Sequence, residues 1–308
     1  MLDAGGPFSG LLPGFAPRAE QTRMAAAVER ALAGGDSLII EAGTGIGKTL
    51  AYLVPALLAG GRTIVSTGTK TLQDQLYFRD LPMVAEALGI EVRSALLKGR
   101  GNYLCLHRME LARREGRLPS RAAVAELEAV SEWSGRSVDG DLSITPVISE
   151  DSGLLPLVTS TPDNCLGSGC PRFDACFVAR ARREAQQADL VVVNHHLLFA
   201  DMAIKQSGFG EVLPGASAFI IDEAHLAPET AALFFSLTLS VRQVEDLCRD
   251  LLAECGEVTG ALAVLQAPVA ECQQQLRELQ AAVAARSPDR GSWQDLVRDE
   301  TVRQGLQN

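Results

Sequence analysis

A chain of 308 residues allows two domains at roughly 100–200 residues each, and a composition 47% apolar and 21% charged excludes extensive disorder. No apolar run approaches the ~20 residues that span a bilayer, and no basic segment followed by an apolar stretch opens the sequence. A soluble cytoplasmic protein with no membrane partner is therefore expected, and its seven cysteines are not read as a disulfide framework. The net charge of −10 is unevenly spread. Residues 93–121 carry eight basic and two acidic side chains, and residues 122–163 carry one basic and eight acidic. A local basic patch can bind phosphate in an acidic protein, because screening limits electrostatic reach to about 8 Å.

In chain order, residues 1–16 are an irregular lead-in rich in Gly, Pro and Phe. Residues 18–33 suit a helix, ended by Gly34-Gly35. Residues 37–41 form a short apolar run before a Gly-rich turn and predict a buried strand. Residues 49–59 predict a helix with a kink at Pro55. A strand at 62–66, a helix at 71–88 and a strand at 92–97 follow. Two further strands are expected at 189–194 and 218–222. Strands alternating with helices argue for a parallel sheet covered on both faces. The alternation breaks over residues 101–187, a Gly/Pro/Asp-rich insertion containing four cysteines. It breaks again after Pro228, where residues 231–285 predict amphipathic helices with no strand between them.

Residues 42–49 read AGTGIGKT, a phosphate-loop pattern with Ala at its first position. Gly43, Gly45 and Gly47 let the backbone curl so that successive N–H groups point inward at phosphate, with Thr44 in the same curl. Lys48 is positioned to reach the β- and γ-phosphates and Thr49 to ligate Mg²⁺. The helix that follows offers its N-terminus to the same anion. Residues 222–225 read DEAH after an apolar strand. Asp222 would hold Mg²⁺ and Glu223 would polarise the attacking water, while His225 would either link nucleotide state to a nucleic-acid face or simply fill the switch region.

The insertion's cysteines are Cys105, Cys165, Cys170 and Cys176. Four thiolates suit tetrahedral zinc or an iron–sulfur cluster. One solitary ligand and three widely spread ones fit a bulky [4Fe–4S] cube better than a zinc ribbon. His107, two residues after Cys105, is a competing ligand type. Cys248, Cys255 and Cys272 lack tight spacing and read as core cysteines.

Together the phosphate loop, the DEAH run and the four-cysteine insertion resemble the XPD/DinG-like iron–sulfur helicases of superfamily 2, and the bacterial DinG/YoaA branch in particular. Further segments carry the resemblance. Phe15-Ala16-Pro17-Arg18 with Gln21 is similar to the family's adenine-reading element. Residues 66–76 (STGTKTLQDQL) resemble its first strand-contacting motif, 98–105 (KGRGNYLC) the entry to its cluster domain, and 188–196 (ADLVVVNHH) the strand before its acidic motif. On the residues alone, the Gln21 amide has the donors and acceptor to pair with an adenine edge, and Phe15 could stack on its face or simply pack. Ser66, Thr67, Thr69 and Lys70 suit contacts that follow a phosphate backbone, and the Ser/Thr cluster also suits helix capping.

The resemblance implies a RecA-like α/β motor domain in two parts, 1–100 and 188–228. Residues 101–187 would be an inserted iron–sulfur cluster domain, and 229–308 the start of a helical Arch-type segment. It implies an ATP-dependent DNA helicase using ATP and Mg²⁺, moving 5′ to 3′ on single-stranded or forked DNA in repair or replication stress. The family's charge-stabilising arginine comes from a second motor domain, which this chain would need in cis or in trans. Two other readings stay open at this point: a nucleic-acid-binding module without turnover, and a small-molecule phosphate-loop enzyme with structural zinc.

Overall fold

The computed structural model describes all residues except 4, 12–14, 44, 117, 146, 150, 207, 209–211, 237–239, 255–259, 287–290, 299, 301 and 304–308. They form two compact units, Met1–Phe235 and Ser236–Asn308. Among them, no helix is long and apolar enough to cross a membrane.

In the first unit, α1 (Ala19–Gly34) and α2 (Lys48–Ala59) precede β1 (Thr63–Thr67). Next come α3 (Lys70–Gln75), a π-helical turn (Leu76–Asp80), α4 (Leu81–Leu88) and β2 (Ser94–Leu96). Between β2 and the next strand lie α5 (Leu106–Glu115), α6 (Arg121–Ser134) and α7 (Phe177–Gln187). The chain then returns through β3 (Leu190–Asn194), α8 (His195–Gln206), β4 (Ala218–Ile221) and α9 (Ala227–Phe235).

The four strands are all parallel, in the order β2-β3-β1-β4. Thr67 pairs with Asn194, and Ser66 with Ile221, so the C-terminal ends of the three strands β3, β1 and β4 lie side by side. Period-two alternation explains the apolar runs. Val191, Val193 and Ile64 enter one core with Tyr103, Leu104, Leu127 and Phe177 of the insertion. Leu190, Val192 and Val65 enter the other with Tyr52, Leu53, Leu81 and Val84. Burying each of these side chains contributes about 1.5–3 kcal/mol. Residues from 101–187 therefore share a core with the sheet.

Two expectations are corrected. Residues 37–41 are not a strand: they have no ladder partner among the described residues, and Leu38 and Ile39 are 43% and 97% exposed. An apolar run becomes a strand only where a neighbour accepts its backbone hydrogen bonds, and β4 ends the described sheet with Phe219 exposed. The helix expected at 71–88 is interrupted by the π-helical turn before Pro82. Pro82 has no N–H to donate, and the widened turn lets the Leu81 N–H bond the Leu76 carbonyl instead. By contrast, α2 continues as helix through the buried Pro55.

The second unit holds α10 (Val241–Glu254) and α11 (Ala261–Arg286), which pack together. Cys248 is buried there and Cys272 exposed, whereas Cys255 lies outside the described residues.

Candidate nucleotide and nucleic-acid site

The loop before α2 is fastened from behind. The Gln21 Nε2 amide donates to the Gly47 carbonyl at 3.0 Å, and Gln21 is only 3% exposed. Gly47 has φ +84°, and a Cβ there would collide with that amide. Gln21 thus holds the loop rather than standing open to a base edge. Arg18 is exposed, with its guanidinium beside Gly45. Phe15 packs on Phe8, ring centroids 5.9 Å apart. Gly43 follows the extended segment, and Thr44 lies outside the described residues.

Lys48 opens α2, and its Nζ donates to the Ala42 carbonyl at 3.4 Å and approaches Glu223 Oε1 at 3.6 Å. One turn on, the Tyr52 hydroxyl donates to Asp222 Oδ2 at 3.1 Å and lies beside the Thr49 hydroxyl. Glu223 also faces His225 Nδ1 at 3.5 Å. Lys48, Thr49, Asp222 and Glu223 therefore meet at the carboxyl end of the sheet, where open α/β sheets bind ligands. Sequence reasoning missed Tyr52, although its i+4 spacing from Lys48 puts both on one helix face.

Burial pushes the Asp222 carboxyl above its ordinary range, against the Tyr52 hydrogen bond, which favours the ionised form. Burial, reinforced by Asp222, holds the Tyr52 phenol well above its own. The acidic turn is fixed by its backbone: the Asp222 N–H donates to the Ser66 carbonyl at 2.8 Å, and the Glu223 N–H to Asp222 Oδ1 at 3.0 Å. Glu223 has φ +53°, the one positive value among the described non-glycine residues.

The residues proposed to follow a strand divide. Ser66 and Thr67 are 0% and 1% exposed within β1, so neither can touch a nucleic acid. Ser66 turns inward because its hydroxyl meets His195 Nδ1 at 2.7 Å. Thr69 and Lys70 are exposed at the start of α3, where Thr69 caps the helix by accepting from the Leu72 N–H. Lys98, in the 98–105 run, is another residue whose role sequence reasoning missed. Its side chain is 1% exposed, and the ammonium lies 2.7 Å from both Asp74 and Asp141.

Cys105 and Cys176 each occupy the residue before a helix, α5 and α7. Burial pushes the Cys105 thiol up, the N–H groups of Arg108 and His107 oppose it, and Cys170 and Cys176 are close enough to act on it. Cys165 is exposed. Arg182 lies in the field of both Cys165 and Cys176, and burial lowers its pKa. Among the described residues no three His, Cys, Asp or Glu side chains gather tightly enough for a single ion. The donor set has the chemistry for a larger sulfur-bound group: four free thiols, two of them directly preceding helices.

The DEAD/DEAH box helicase family profile matches residues 22–110. The chain is 44% identical over 302 residues to the ATP-dependent DNA helicase YoaA of Haemophilus influenzae, covering 98% of this chain and 47% of that protein. It is 52% identical to the Escherichia coli protein of the same name, over 80% of this chain and 39% of the relative. The ATP-dependent helicase DinG of Mycobacterium tuberculosis is 38% identical over 68% of this chain and 34% of its own length. The chain thus spans less than half the length of each of these relatives.

Proposed function

We propose, from the premise that the chain carries a DEAD/DEAH-box helicase domain and is homologous to the YoaA and DinG helicases, that it forms the nucleotide-binding portion of an ATP-dependent DNA helicase. The observation that carries this reading is the convergence of Lys48 with Glu223 and of Tyr52 with Asp222 at the carboxyl end of a parallel sheet. Lys48 would take the β- and γ-phosphates, and the loop of Gly43, Gly45 and Gly47 would wrap them with N–H groups. Thr49 and Asp222 would hold Mg²⁺. Glu223 would orient the attacking water once phosphate draws Lys48 from it. Arg18, beside Gly45, and Phe15 would contact the base, with Gln21 acting through Gly47.

The substrate in this reading is single-stranded or forked DNA, with 5′-to-3′ movement and a role in repair or replication stress. A second motor domain, in cis or in trans, would supply the arginine for the γ-phosphate. The four cysteines would hold a [4Fe–4S] cluster, whose contribution is to staple a loop-rich segment into a fixed wall. Residues 101–187 would be that cluster segment, 1–100 and 188–228 the motor, and 229–308 an Arch-type helical portion.

The test is Mg²⁺-dependent binding of a fluorescent ATP analogue to the purified chain, with and without a single-stranded oligonucleotide. Binding should weaken about 10- to 150-fold in Lys48→Ala, corresponding to about 1.5–3 kcal/mol for a charge-assisted hydrogen bond. Equal affinity in the variant, or no binding by the parent chain, overturns the reading.

A further inference from the structure

His195 is 1% exposed at the junction of β3 and α8, and the nucleotide chemistry above does not use it. Its Nδ1 lies 2.7 Å from Ser66 Oγ, while its Nε2 is buried without a hydrogen-bond partner. The ring lies close to the backbone of Asp222 and Glu223. Carbonyl oxygens only accept, so the tautomer that fits has Ser66 Oγ–H donating to Nδ1 and the proton on Nε2. A buried Nε2–H without a partner is an unmade bond, and native interiors seldom leave one.

Two neighbouring features show what could close it. Glu223 holds a left-handed backbone, uncommon for a residue with a Cβ, and its carboxylate is drawn to Lys48. Gly68, in the loop between β1 and α3, touches the same turn: a Cβ there would stand 2.5 Å from Leu226 Cδ1 and 3.7 Å from Glu223 Cβ. Ser66 binds His195 through its hydroxyl and Asp222 through its carbonyl. The acidic turn cannot shift without disturbing the segment that leads to the exposed Thr69 and Lys70.

We propose that His195 is the positioning residue coupling the acidic turn to the nucleic-acid-facing loop. Its Nε2–H bonds the backbone carbonyl of Asp222 or Glu223 when phosphate takes Lys48 from Glu223 and the Glu223 backbone relaxes. The proposal rests on the nucleotide-site reading, and the coupling is reciprocal: nucleotide alters oligonucleotide affinity by the same factor as the converse.

The experiment uses the whole chain with Mg²⁺, a non-hydrolysable ATP analogue and a fluorescent single-stranded oligonucleotide. Nucleotide and oligonucleotide affinities are measured alone and together. Couplings of this kind are typically about 5- to 150-fold. His195→Asn keeps a group near the Nδ1 position for Ser66 but has nothing at Nε2. It should keep each separate affinity within about threefold, a margin below one tenfold step of 1.4 kcal/mol, while the coupling falls toward unity. His195→Gln, which restores an amide donor near the Nε2 position, should recover part of the coupling. Histidine ¹⁵N spectra of the parent chain, assigned by loss of a signal in His195→Asn, should show the neutral tautomer protonated at Nε2. Undiminished coupling in His195→Asn, or a proton on Nδ1, overturns the proposal and leaves the nucleotide reading intact. Nucleotide binding with no coupling in the parent does the same. Absence of nucleotide binding overturns both.

Discussion

Replacing Lys98 by Met tests whether a buried charge cluster joins the insertion to the sheet. The Lys98 side chain is 1% exposed, and its ammonium lies 2.7 Å from Asp74 on α3 and 2.7 Å from Asp141, with Ser143 Oγ accepting at 2.9 Å. Its backbone N–H donates to the Tyr103 hydroxyl at 3.0 Å, so both ends of the residue are engaged. Methionine has nearly the same length, so the substitution removes the charge without opening a large cavity. Asp141, 5% exposed, then keeps only the Ser143 hydroxyl and N–H as donors. Breaking one side of a buried pair costs about 3–5 kcal/mol, because the remaining charge is left uncompensated. Asp74 is 25% exposed, but the Oδ1 that faces Lys98 is itself buried, so losing the ammonium strands that oxygen as well. At about 2–4 °C per kcal/mol for a unit of this size, the melting temperature should fall by roughly 6–20 °C. Thermal and urea unfolding followed by circular dichroism measure the loss, and limited proteolysis should show early cleavage near residues 139–151. Adding Asp74→Asn and Asp141→Asn to Lys98→Met should recover part of the stability by removing the stranded charges. A loss below about 1 kcal/mol, the range of an exposed pair, refutes the reasoning.

Tyr52→Phe removes the donor to Asp222. It should raise the Mg²⁺ concentration for half-maximal nucleotide binding about 2- to 12-fold, from about 0.5–1.5 kcal/mol per hydrogen bond; an unchanged Mg²⁺ titration counts against Asp222 as the ligand. Burial lowers the pKa of His195, so the unfolded chain takes up a proton near pH 6.5 while the folded chain does not. Stability from the neutral imidazole is thus complete above about pH 6.5 and is lost as pH falls toward the lower folded value. Urea midpoints between pH 7.5 and 5 should drop less steeply in His195→Asn, and parallel slopes would show that another group governs this range. Anaerobically purified chain should contain about four irons and four acid-labile sulfides, as expected for a cube held by four cysteines. Cys105→Ser should lose them and expose the insertion to protease; one zinc and no sulfide would favour the zinc reading instead.

The sheet was legible where strands are buried on both faces. Residues 190–193 could hardly be anything but a central strand, and β1 follows from the same apolar β-branched pattern. The segment at 37–41 looked equally convincing, yet Ile39 is 97% exposed. Its composition specifies a strand only when another strand accepts its hydrogen bonds, and neighbours are not written in local composition. The π-helical turn could be read only in part. Pro82 announces trouble in a helix, but whether the chain kinks, stops or widens depends on packing around Leu76 and Leu81, both 3% exposed.

The site shows the same division between local and distant information. Gly47, Lys48 and Thr49 are adjacent in the chain, and their chemistry can be recognised before any fold is known. The contact between Ser66 and His195 closes over 129 residues and that between Tyr52 and Asp222 over 170. Gln21 was noticed for its amide, but the partner it finds is a backbone carbonyl 26 residues away. Ser66 was misread because a hydroxyl near a strand end suits either solvent or a buried acceptor, and only the position of His195 decides between them. A phosphate loop needs nearby glycines because curvature is local. Coupling needs distant partners because it must bridge separate elements. Residues proposed to bind phosphate therefore stand out in a sequence, while those proposed to relay the binding emerge only when β1, β3 and β4 lie side by side.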